Sequence, residues 1–183
     1  MQMPNQEPVT FLRDCEAVVI PAGDTVEVPA GTHGTITQAL GGSFTVYIAG
    51  NLLRIAGSEA DAIGKETPEP IALPEGADND DVEALAWEQM RTVYDPEIPI
   101  NVVDLGLIYG CEFNHDDPEH RTARVAMTLT APGCGMGDIL LDDVKSRVRL
   151  IPTVDRVDVD LVFDPPWTME MMSDAAKLQV GML

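Results

Sequence analysis

Arg124-Val125-Ala126-Met127-Thr128-Leu129-Thr130 followed by Ala131-Pro132-Gly133-Cys134-Gly135-Met136-Gly137 is the stretch that decides the fold of the second half of this chain. Its first seven residues alternate as a half-buried strand does, with Val125, Met127 and Leu129 on one face. Proline and glycines then break the strand, and apolar Leu140, Val144, Val148 and Ile151 recur at helical steps. A strand running through a glycine-rich turn into a helix places Cys134 before the helix N-terminus. Backbone N–H groups there lack intrahelical acceptors, and the dipole favours negative charge. Both effects favour a thiolate, the form of cysteine that attacks electrophiles and binds soft metals. Gly133, Gly135 and Gly137 would let a ligand approach the backbone closely.

Working outward, α-type periodicity precedes this unit at Val82, Leu85, Ala86, Met90 and Val93, behind an acidic start at Asn79-Asp80-Asp81 that suits capping. Asp95-Pro96 and Ile98-Pro99 end that helix. Leu107, Tyr109, Cys111 and Phe113 alternate as one face of a strand, and a polar loop over 114–120 returns the chain to the strand containing Val125. After the cysteine-bearing turn and its helix, a third strand sets Val157, Val159, Leu161 and Phe163 inward and Arg156, Asp158 and Asp160 outward. Asp164-Pro165-Pro166-Trp167 is a rigid elbow, and a last helix carries Met169, Met172, Ala176 and Val180. The order α-β-β-α-β-α describes a two-layer α+β domain, helices on a small sheet, over 80–183.

The first 64 residues read differently. Short β-type runs at 17–20, 25–28, 34–37, 44–48 and 52–55 are separated by turns such as Pro21-Ala22-Gly23-Asp24 and Leu40-Gly41-Gly42-Ser43. A small all-β domain, barrel or sandwich, is the expectation for 1–64. The proline- and acid-rich segment 65–79 has the composition of a linker.

Bulk properties exclude several classes. The formal net charge of −20 over 183 residues opposes nucleic acid and anionic membranes as partners, since both are bound through clustered Lys and Arg. No apolar run approaches the roughly 20 residues of a membrane span, and the opening residues lack the pattern of a signal peptide. The expectation is a cytoplasmic protein. Its cysteines, Cys15, Cys111 and Cys134, are three and widely spaced, which argues against a disulfide framework or a zinc ribbon.

Phosphate chemistry fails at Cys134. A phosphatase-type loop would need arginine where Leu140 stands, a Walker loop would need lysine after Gly137 where Asp138 stands, and the dinucleotide glycine spacing is absent. His33, His115 and His120 do not fall at a spacing that supplies Cys134 with a base. Asp95, Glu97 and Asp104 are carboxylates on a proline-stiffened segment. They either join a thiolate in holding a divalent metal or satisfy local backbone groups. Cys111 reads as a core residue, Cys15 lies between acids that oppose ionisation, and Met169, Met171 and Met172 are either helix packing or an adaptable partner surface.

Three segments together carry a resemblance. They are 95–109 (DPEIPINVVDLGLIY), 129–137 (LTAPGCGMG) and 164–173 (DPPWTMEMMS). They resemble the SufT family of iron–sulfur assembly factors, within a wider group that includes PaaD-like and eukaryotic cytosolic cluster-targeting proteins. Residues 13–17, 20–23, 36–46 and 61–64 look like an N-terminal extension of that family.

The resemblance implies a non-enzymatic maturation factor that works with Suf-type cluster assembly machinery and client apo iron–sulfur proteins. It also implies Cys134 as the shared thiol, with Glu97 and Asp104 near it. Iron or an iron–sulfur cluster would then be transient cargo and no cofactor stably bound, because one cysteine does not complete four-coordinate ligation. A homodimer sharing ligands is a further expectation. A Cys134-dependent thiol enzyme, transferase or redox, and a structural adaptor with an inert cysteine stay open as alternatives.

Overall fold

The computed structural model describes residues 6–95, 98–114, 117–133 and 135–182. The chain forms two units, 1–69 and 70–183.

In the first unit, strands β1 (Glu7–Thr10), β2 (Cys15–Ile20), β3 (Thr25–Val28), β4 (His33–Leu40), β5 (Ser43–Ile48) and β6 (Asn51–Ile55) form one antiparallel sheet in the order β1-β4-β5-β6-β2-β3. Among the described residues β1 and β3 are its edges, so the strands form one sheet rather than the two sheets of a sandwich. Leu40 pairs with Ser43 across Gly41 and Gly42, both at positive φ, which gives the tight hairpin whose twist matches its strands. A 3₁₀ segment, Gly57–Ile63, follows and contributes Ala60, Ala62 and Ile63 to the buried set. Phe11, Ile36, Val46 and Ile55 lie at the centre of this core. Arg13 joins Asp61 and Glu59 through charge-assisted hydrogen bonds of 2.6–2.8 Å, tying the β1–β2 turn to the 3₁₀ segment.

Lys65 pairs with Glu7 at 2.7 Å in the first unit, while Ile71 and Leu73 pack on the core of the second.

The second unit runs α1 (Asn79–Met90), β7 (Ile108–Phe113), β8 (Arg121–Met127), α2 (Gly137–Arg149), β9 (Val154–Leu161) and α3 (Asp174–Gln179). Its three-stranded sheet has the order β7-β8-β9, with β7–β8 antiparallel and β8–β9 parallel. This is the α+β architecture read from the sequence. α1 starts at Asn79, the first residue of the acidic start, and its N-cap is Asp78. Asp78 accepts from Asp81 N–H, and Asp81 reaches back to Asp78 N–H, a reciprocal capping box. Val82, Ala86 and Met90 of α1, and Leu140, Val144 and Val148 of α2, are buried against Val125, Met127 and Val157 of the sheet. Each large side chain removed from water in this way contributes about 1.5–3 kcal/mol.

Two bulges interrupt the strand pairing. The β7–β8 register shifts between Ile108 and Gly110, so Tyr109 leaves the buried face while Cys111 and Phe113 keep it. On β9, Asp155 is skipped in the pairing with β8, which turns both Val154 and Val157 inward. Val159, in the same phase as Val157, is half-buried, and Leu161 and Phe163 are exposed rather than inward. The last helix is also shorter than expected. Met169–Met171 is a 3₁₀ turn, Met172 is extended, and Ser173 restarts the chain as the N-cap of α3 by accepting from Ala176 N–H.

Candidate functional site

Cys134 and Glu97, two of the three residues expected at a thiol site, lie outside the described residues, as does His115. The surroundings that the fold builds for the cysteine turn are described. α2 starts at Gly137 behind Met136, and no side chain caps it. Helix geometry leaves the first N–H groups of such an end without intrahelical acceptors, and among the described residues no side chain supplies one.

The three glycines divide by physical role. Gly133 sits at φ +77°, and a methyl group added at Gly133 or Gly135 would meet open space. Gly137 is a packing glycine, because a Cβ there would stand 2.7 Å from Leu129 Cδ1.

Asp104 is already engaged. Asn101 Nδ2 donates to its carboxylate at 2.5 Å, and Asp104 N–H donates to Asn101 Oδ1 at 2.8 Å. Asp95 likewise accepts from Ile98 N–H at 2.9 Å and holds the turn after α1. Of the two readings open for these carboxylates, local bracing is the one their described contacts display.

The segment after β9 straps onto this braced loop. Gly106, at φ +75°, lies under the strap, and a Cβ on it would fall 2.3 Å from the carbonyl oxygen of Met171. Trp167 Nε1 donates to Leu105 O at 2.7 Å, Ser173 N–H to Asp104 O at 2.8 Å, and Tyr109 Oη to Pro165 O at 2.7 Å. Gln179 Nε2 adds a bond to Pro99 O at 3.0 Å. Two of the three quoted segments, 95–109 and 164–173, are therefore one interlocked structure. The sequence shows Gly106, Tyr109, Trp167 and Ser173 as parts of those segments but carries no signal that they meet.

The strap also separates the three methionines. Met169 is exposed, and Met171 lies half-buried with its sulfur 3.6 Å from Tyr109 Oη. Met172 is buried in the core, so the partner surface drawn from all three loses Met172 to packing.

The other thiols are poor nucleophiles. Burial pushes Cys15 up to about 11, helped by Glu59, and burial pushes Cys111 up to about 12, helped by Glu83 and Glu112. His120 stands 2.6 Å from Asp155 on the surface, and His33 bonds Thr10. Among the described residues no group of three or more His, Cys, Asp or Glu is assembled to hold a metal, and no helix is long and apolar enough to cross a membrane.

Comparison with known proteins bears on the same half of the chain. Residues 83–160 match the family model described as iron–sulfur cluster assembly protein. An Fe-S protein maturation auxiliary factor of Porphyromonas gingivalis is 47% identical over 94 residues, 51% of this chain and 86% of that protein. The Fe-S protein maturation auxiliary factor SufT of Staphylococcus aureus is 44% identical over 89 residues, 49% of this chain and 97% of that protein. Because those residues span nearly all of the staphylococcal protein, an N-terminal extension of the kind read from residues 13–64 does not mark that SufT. A crystal structure of a domain of unknown function from Bacillus anthracis is 31% identical, covering 57% of this chain and 95% of that one, with a TM-score of 0.51. With identity this high along most of each relative's length, the chain belongs to the SufT-like family of iron–sulfur cluster assembly proteins.

Proposed function

We propose that this protein is a non-enzymatic maturation factor, an adaptor or transient carrier that helps deliver iron–sulfur clusters to client apoproteins through Cys134. The observation that carries the reading is the 44–47% identity to maturation auxiliary factors along most of their length. The thiol inventory supports it. Soft sulfur ligands suit iron–sulfur cargo, and with Cys15 and Cys111 buried and held protonated, Cys134 is the thiol left for that task. An uncapped helix start behind the turn favours its thiolate.

Asp104 serves as a brace that fixes the neighbouring loop under the strap, and the cargo takes its remaining ligands from the client, the Suf-type scaffold or a second copy. Iron is substrate here, held briefly. The protein acts in the cytoplasm.

Anaerobic incubation of wild type and Cys134→Ala with iron and sulfide, read by visible absorption and bound iron, tests the carrier role. A charge-transfer band that vanishes in the variant supports it. Client activation that survives Cys134→Ala at unchanged fold would overturn the role of the thiol.

A further inference from the structure

The sheet of the second unit has an unused edge. β7 pairs with β8 on one side, and among the described residues no strand pairs with its other side. Asn114 N–H donates to Thr122 O across that ladder. Hydrogen-bonded and non-bonded pairs alternate in an antiparallel ladder. Glu112 and Gly110 therefore also bond to β8, and the backbone N–H and C=O of Cys111 and Phe113 point to the open side.

Beside that edge runs a cleft of about 570 Å³, floored by Gly110, Cys111, Glu112 and Phe113 and walled by the flank of α1 that carries Asp80, Glu83 and Trp87. Trp87 Nε1 reaches Glu83 at 3.4 Å. Among the described residues neither Asp80, Glu83 nor Glu112 is in an ion pair within 4.0 Å. Glu112 and Arg124, directly opposite on β8, share the outer face of the sheet, so the carboxylates on the helix side of the cleft are Asp80 and Glu83.

We propose that this cleft receives an extended, lysine- or arginine-bearing segment of a partner protein, which adds to β7 as a fourth strand. Backbone groups of Cys111 and Phe113 supply the directional bonds of strand addition. Side chains of the incoming strand on the helix side meet Asp80 and Glu83, and the ring of Trp87 offers a face to a cation. Charge selects the occupant. A second copy of a chain with net charge −20 is repelled from an acidic cleft, whereas a basic segment is drawn in. The same carboxylates thus guard the edge against self-association and admit one kind of partner. The assignment holds whether or not Cys134 handles iron.

The test uses the full chain, ¹⁵N-labelled, with a short peptide alternating lysine and valine and its glutamate-for-lysine counterpart as probes. The lysine peptide should slow amide exchange at Cys111 and Phe113 about tenfold, and the glutamate peptide should not. Asp80→Asn with Glu83→Gln should weaken binding roughly fivefold, the size expected for removing two partly exposed charge contacts. Since Asp80 lies in the capping turn of α1, Glu83→Gln alone reads the same contact with the helix start intact. Absence of binding overturns the proposal. So does binding that perturbs the acidic surface at large while Cys111 and Phe113 exchange at their free rate.

Discussion

Replacing Gly106 with alanine tests whether the strap and the Asp104 loop are one structure. At φ +75° an alanine pays the left-handed penalty of about 1–2 kcal/mol. Its Cβ would also stand 2.3 Å from Met171 O, well inside van der Waals contact with a backbone atom that cannot rotate away. The strap must retreat, and the bonds flanking the contact, Trp167 to Leu105 O and Ser173 N–H to Asp104 O, are the first to stretch. Each contributes about 0.5–1.5 kcal/mol net. Together these terms give a loss of about 2–5 kcal/mol for the second unit. Urea unfolding followed by Trp167 fluorescence in a Trp87→Phe background measures it, and proteolysis within 164–182 reports a lifted strap. Gly135→Ala is the matched control, because its new methyl group meets open space and should stay within about 0.5 kcal/mol. A Gly106→Ala loss below about 1 kcal/mol with an unchanged strap would refute the interlock.

Three further outcomes follow from buried groups. Thr128 is buried with its hydroxyl unbonded among the described residues, so Thr128→Val should raise stability by about 1 kcal/mol; a loss would reveal a partner for that hydroxyl. Arg121 is buried and donates to Asn79 Oδ1, Pro118 O and Thr153 Oγ1, so Arg121→Ala should cost about 3 kcal/mol in thermal or urea unfolding. The Cys15 and Cys111 thiols have folded-state values raised to about 11 and about 12, above their unfolded values, so their contribution to stability is complete below the unfolded thiol range and is lost as pH climbs through the folded values. Unfolding monitored from neutral to strongly alkaline pH should show that decline, flattened in Cys15→Ala with Cys111→Ala, and iodoacetamide near neutral pH should label Cys134 in preference to both.

What the sequence made legible was whatever repeats within one element. Leu140, Val144, Val148 and Ile151 announce α2, and the alternation through Val125 and Met127 announces β8, because a helix and a strand each impose their own period on burial. The misreadings fall where a tertiary pairing overrides the period. Tyr109 and Asp155 sit at bulges, where one extra residue changes which neighbouring side chain faces the core. Leu161 and Phe163 keep the phase of buried Val157, and their exposure follows from their place at and beyond the end of β9 rather than from a change of face. β1 went unread because Glu7-Pro8-Val9-Thr10 has no second apolar residue to form a period, and its strand exists through pairing with β4. At the site, the residues of segments 95–109 and 164–173 were visible, but their contact spans more than fifty residues of sequence, and nothing in local spacing encodes that Met171 O rests on Gly106.

The division of labour among the residues fits a factor that passes cargo on. A protein that retained a cluster would surround it with several thiolates, since four-coordinate ligation by cysteine is what makes such centres stable. Here the two described thiols are sequestered in separate cores, and Asp104 is committed to its own loop. Under the proposed function Cys134 is therefore short of ligands, and whatever completes the set also removes the cargo. Weak retention then transfers the burden of specificity from metal chemistry to surfaces that recognise the recipient. An acidic cleft beside a free strand edge is such a surface. Its backbone groups select an extended segment by geometry, and its carboxylates select by charge, without requiring any metal to be bound.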